Sequence, residues 1–85
     1  MPIAVKITVH DHYDPYANLA RRLVEFKIRH GFTQLQVAQK INNTMDIGWD
    51  QPIISKLEHG KRDITLLEII AVMQALDLTF QELTQ

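Results

Sequence analysis

The chain has 85 residues, no cysteine, 46% hydrophobic content and a formal net charge of −1. That length suits one small domain near the lower limit of unaided stability, and packing must hold it, because disulfides and a cysteine-based zinc site are excluded. No stretch approaches the roughly 18 apolar residues of a membrane span, and the opening MPIAVKITVHDHYD lacks a basic region followed by an apolar one, so a soluble, cytoplasmic protein is expected.

The small net charge hides an uneven distribution. Ala17 to Arg62 holds eight Lys or Arg against four acids, residues 63–85 hold four acids and no Lys or Arg, and residues 1–16 contribute −1. A basic segment followed by an acidic tail is the asymmetry of a chain that offers one face to phosphates.

From the N-terminus, Ile3, Val5, Ile7 and Val9 alternate with Ala4, Lys6, Thr8 and His10. Period two with β-branched residues predicts a half-buried β-strand or extended arm. Because the rest of the chain reads as helix, this strand lacks a partner within it, and it is expected to pair through residues 3–9 with a second copy or another protein. His10, Asp11 and His12 follow, but neighbours on a strand point to opposite sides and no third ligand stands at a metal-like spacing, so a solvated strand end is expected. Asp14-Pro15 closes the arm, which divides the chain into an arm over 1–16 and a helical domain over 17–85.

The first helix begins near Tyr16. Leu19, Leu23, Phe26 and either Val24 or Ile28 recur at helical spacing, Arg21, Arg22, Glu25, Lys27 and Arg29 take the other face, and Gly31 supplies the stop. Arg21, Arg22 and Arg29 are read as a solvated face. Thr33 and Gln36 form a capping box for the second helix, with Leu35, Ala38 and Ile41 as its inner stripe and Asn42-Asn43 as its end. Asp50 is the N-cap of a third helix carrying Gln51 and Pro52 in its first turn, Ile54 and Leu57 inward, and Gly60 at its end. Thr65 with Glu68 and Thr79 with Glu82 repeat the capping box for a fourth and a fifth helix, and Leu67, Ile70, Met73 or Ala71, and Leu76 are the fourth helix's core candidates.

Thr33 to Arg62 therefore reads as two short helices in series, the second ending in a basic turn, which is how a helix-turn-helix looks in sequence. The segments TQLQVAQKI (33–41) and QPIISKLEHGKR (51–62), with the apolar positions between them, resemble the Cro and phage-repressor type, the XRE-like family. The resemblance covers about Leu19 to Leu83. It implies an all-α, compact five-helix domain like that of lambda repressor, here with the N-terminal strand or arm added, and double-stranded DNA as the partner. The stretch Asn43 to Trp49 departs from the family, being about six residues longer than a tight turn needs. Trp49, with Met45 and Ile47, is expected to plug the gap between the two helices.

A helix entering the major groove N-terminus first brings two or three side chains to base edges. The outward residues there are Gln51, Pro52, Ile53 and Ser55, with Lys56 a turn on. Gln51 is the best reader, since its amide both donates to and accepts from adenine, and the resemblance also places a base-contacting Gln at this position. Lys56 suits guanine or a phosphate, Ser55 a single bond, and Pro52 and Ile53 a thymine methyl. For phosphates, the resemblance assigns Gln34, which also braces the recognition helix, and the turn residues Lys61 and Arg62, with His59 assisting.

The function expected is a sequence-specific transcriptional regulator, a repressor acting as a homodimer on a palindromic operator. By resemblance this spans phage-type repressors, plasmid regulators and restriction-modification controllers. The alternatives are the DNA-binding antitoxin of a toxin–antitoxin pair, with the N-terminal segment binding the toxin, and a protein-interaction module that has lost DNA contact. A Gly-rich phosphate loop, a distinct carboxylate pair and a Cys nucleophile are all missing, so neither enzymatic activity nor a cofactor is expected.

Overall fold

The computed structural model describes residues 15–83, with side chains from Asn18 onward. Five helices follow in order: α1 (Pro15–His30), α2 (Gln34–Thr44), α3 (Gln51–Glu58), α4 (Leu66–Leu76) and α5 (Phe80–Leu83). No strand occurs among the described residues, and the expected strand at 3–9 and the His10-Asp11-His12 cluster lie outside them. No described helix is long and apolar enough to cross a membrane.

The helix ends follow from side-chain chemistry written into the sequence. Thr33 and Thr65 each accept the amide of the residue three ahead, Gln36 or Glu68, whose side chain in turn accepts the Thr amide. Asp50 caps α3 by accepting the Ile53 amide at 3.2 Å. Three of the C-terminal ends close alike: Phe32, Lys61 and Leu78 donate back five residues to the carbonyls of Lys27, Lys56 and Met73. Each such end places the preceding residue in the left-handed region, which suits Gly31 and Gly60 and which Asp77 also adopts, with φ 54°. Helix α2 runs past the expected Asn42-Asn43 end to Thr44, because the Asn42 side chain is engaged elsewhere.

Helix α2 is central, packing on both α3 and α4, while α1 packs on α3 and α5. Leu23, Val37, Ile41, Ile54 and Val72 are the largest fully buried side chains. Around them Leu19, Ala38, Leu57, Ile64, Ala75, Leu76 and Leu83 complete one continuous core. Asn18 Nδ2 donates to the Leu83 carbonyl at 2.9 Å and Arg22 Nε to that of Glu82 at 3.3 Å, so α1 caps the short last helix.

Four expected core positions are corrected. On α2 the buried stripe is Val37, Ala38 and Ile41, and Leu35 stays 49% exposed; at 100° per residue Leu35 falls on the rim of that stripe. On α4 the buried residues are Ile69, Ala71, Val72, Ala75 and Leu76, and Leu67 and Ile70 face outward. That helix is apolar almost all round, so periodicity does not select its inner face; the small Ala71 and Ala75 turn toward the core. On α1, Ile28 is 73% exposed, so of the alternatives Val24 and Ile28 it is the half-buried Val24 that turns inward, and Phe26 packs against the core as expected, edge to face with Phe32 at 5.7 Å.

Candidate nucleic-acid interface

The connection between α2 and α3 is pinned in spite of its length. Asn42, in the last turns of α2, spans the loop: its Nδ2 donates to the Trp49 carbonyl at 2.7 Å and its Oδ1 accepts the Trp49 amide at 2.9 Å. Trp49 is buried in the core, as expected of a plug between the helices, and the partly buried Met45 and Ile47 pack against that core.

Trp49 also ties the loop to α4. Its Nε1 donates to Glu68 at 3.0 Å, and Arg62 donates to both oxygens of the same carboxylate at 3.2 and 3.0 Å while lying 5.6 Å above the indole ring. Burial alone would raise the Glu68 pKa. The hydrogen bonds from Arg62, from the Thr65 amide and from Trp49, together with the Arg62 charge, outweigh that and hold the carboxyl at about 2, below its ordinary 4.5. The residue expected to meet phosphate from the turn, Arg62, is thus committed to an internal ion pair. Lys61, its neighbour, is exposed.

At the N-terminus of α3, Gln51 and Pro52 are exposed, and Lys56 is exposed a turn further on. Ser55 is half-buried. Ile53 is half-buried too and packs against the core, so the structure turns it away from the fully outward position expected of it. His59, at the C-terminal end, donates from Nδ1 to the Ser55 carbonyl at 2.7 Å, leaving Nε2 outward on an exposed ring.

Gln34 reaches α3, as the bracing role implied by the resemblance requires, and its partner there is Gln51. Gln51 Nε2 donates to Gln34 Oε1 at 2.5 Å, which links the N-termini of α2 and α3. Behind them stands a residue outside the expected DNA-facing set. Glu58 Oε1 accepts Gln34 Nε2 at 3.2 Å and the Lys27 ammonium at 2.9 Å, and the Glu58 side chain is only 6% exposed. One signal was available: Glu58 lies seven residues after Gln51, two turns along the same helix face.

This is the surface a duplex needs: an exposed helix N-terminus, amides braced in one orientation, and the exposed cations Lys56 and Lys61 further along. A helix-turn-helix family model matches residues 23–83. Among solved structures, the restriction-modification controller protein C.AhdI from Aeromonas hydrophila is 30% identical with a TM-score of 0.63, over 87% of this chain and 99% of that one. The hypothetical transcription factor NHTF from Neisseria is 24% identical with a TM-score of 0.67, over 94% and 90% of the two chains. No curated protein matches the chain significantly. The chain belongs to the helix-turn-helix family of the Cro and phage-repressor type and is a DNA-binding transcriptional regulator.

Proposed function

We propose that the protein is a sequence-specific repressor that binds a two-fold operator as a homodimer, inserting α3 into the major groove of each half-site. The observation that carries this reading is the Gln51 amide, exposed at the start of α3 and braced by Gln34. So held, Gln51 reads adenine, Lys56 and Ser55 read the next positions, and Pro52 meets a thymine methyl. Gln34, Lys61 and His59 contact phosphates, while Arg62 serves the fold through Glu68.

Dimerisation is supported by an apolar surface on α4 and α5. Leu66, Leu67 and Ile70 are exposed on α4, away from its buried stripe, and Phe80 on α5 is 69% exposed. A surface of this kind on so small a chain suits a self-complementary two-fold contact. Within the regulator class, the 30% identical controller protein, matched over almost its whole length, favours control of a restriction-modification system.

Binding isotherms on random and on selected duplexes, measured against salt, test the reading. Log affinity should fall linearly with log salt, and Gln51→Ala should relax preference at one base position by about 1–3 kcal/mol. A protein whose binding does not depend on salt, or whose selected site is indifferent to Gln51→Ala, would sink it.

A further inference from the structure

The amides at the DNA-facing end are not free to choose which atom they offer. Lys27 Nζ donates to Glu58 Oε1 at 2.9 Å, Gln34 Nε2 donates to the same oxygen at 3.2 Å, and Gln51 Nε2 donates to Gln34 Oε1 at 2.5 Å. The other Glu58 oxygen, Oε2, is buried and has no hydrogen-bond partner among the described residues.

An ionised carboxylate only accepts, whereas a carboxamide does either. Next to Glu58, Gln34 must turn its NH2 inward, which leaves only its oxygen for Gln51. Gln51 must then spend one N–H on Gln34, and it presents to the groove one remaining N–H together with its carbonyl oxygen. One donor and one acceptor match the N7 and N6 edge of adenine; guanine, with two acceptors at N7 and O6, would need two donors.

We propose that Glu58 is a specificity-determining positioning residue: through Gln34 it fixes the polarity of the Gln51 amide and so selects adenine over guanine. The inference rests on the reading of Gln51 as base reader and adds to it the group that sets its orientation. Lys27 sets a positive charge against this carboxylate, whose side chain is only 6% exposed. Replacing that acceptor with an amide lets every link reverse: position 58 donates to Gln34 Oε1, Gln34 donates to Gln51 Oε1, and Gln51 turns two N–H groups outward, the pattern that suits guanine.

The test compares Glu58→Gln with Lys27→Met in the full chain, both checked for folding by thermal melting. Affinity is measured at pH 8 for duplexes carrying adenine or guanine at the position Gln51 reads, that position being located beforehand with Gln51→Ala. Both variants break the ion pair, but only Glu58→Gln removes the obligatory acceptor. The expected result is an adenine-to-guanine preference that falls at least about 5-fold in Glu58→Gln, the low end for one bidentate contact, and holds in Lys27→Met. Equal loss in both variants, or loss in neither, overturns the proposal while leaving DNA recognition by α3 intact. If the wild type shows no base preference that depends on Gln51, the reading of α3 itself fails, which is a different result. If Glu58→Gln does not fold, Gln34→Met carries the test, since it cuts the relay and leaves the Lys27–Glu58 pair whole; an unchanged adenine preference there also overturns the proposal.

Discussion

Asn42 holds Trp49 by both backbone groups at once, donating to its carbonyl at 2.7 Å and accepting its amide at 2.9 Å. One side chain at the end of α2 thereby completes the hydrogen bonding of the residue that precedes the α3 cap. The lengthened turn behaves as a pinned loop, with Gly48 at φ 68° turning the chain toward the Trp49 anchor.

Asn42→Ala should loosen this junction before anything else. It strands a backbone amide and a carbonyl next to a buried indole, at an expected cost of about 1–3 kcal/mol in denaturant unfolding. The emission of Trp49, the chain's single tryptophan, reports the same event directly, and its spectrum should shift to the red as the ring gains water. An unchanged midpoint with unchanged emission would contradict the role given to Asn42.

Acid should act on the other side of the same anchor. Glu68 is held at about 2, against an ordinary 4.5, so its contribution is complete above 4.5 and disappears as pH falls from there through 2. Solvent screening of a partly exposed pair reduces the gain to about 1–2 kcal/mol. Glu68→Gln should therefore be less stable than wild type by that amount at pH 7, and the two should converge between pH 4.5 and pH 2 in denaturant titrations. A gap that stays constant with pH would assign the stabilisation to packing.

Arg62 and Lys61 are neighbours with opposite expected behaviour. Lys61→Ala should weaken binding to all sequences alike and lower the slope of log affinity against log salt by about one unit. Arg62→Ala should leave that slope near the wild-type value and lower the melting temperature instead, because its guanidinium is spent on Glu68 and the Trp49 ring. Salt titrations of the two variants side by side distinguish a phosphate contact from a fold contact.

What could be read from sequence was what local chemistry specifies. The Thr33, Asp50, Thr65 and Thr79 caps and the Gly31 and Gly60 stops are decided within a few residues, and they appear where expected. Gln34 and Gln51 stand out in the sequence as candidates to face DNA, and the structure brings their amides together. The misreadings arise where the decision is made at long range. Leu67 and Ile70 have the composition of core residues, and only the docking of α4 on α2 decides that Ile69 and Val72 go in instead. Arg62 looks like a phosphate ligand until Glu68 is brought against it, and Glu58 is an ordinary surface acid until Lys27, 31 positions away, closes over it.

The outward face of α4 gives the last prediction. Leu66, Leu67 and Ile70 are apolar, exposed and distant from the core stripe, so charge placed there should not disturb folding. It should disturb self-association, since a two-fold contact brings each substituted residue against its own surroundings in the second copy and doubles the repulsion. If the proposed homodimer uses this face, Leu67→Glu combined with Ile70→Glu should keep the wild-type helix content and melting temperature while sedimenting as a monomer at concentrations where the wild type is expected to sediment as a dimer. Loss of the partner's half-site contacts should then weaken operator binding by far more than it weakens binding to a single half-site, because the second α3 no longer arrives tethered to the first. A double variant that still sediments as a dimer would move the dimer contact off α4 and onto another part of the chain.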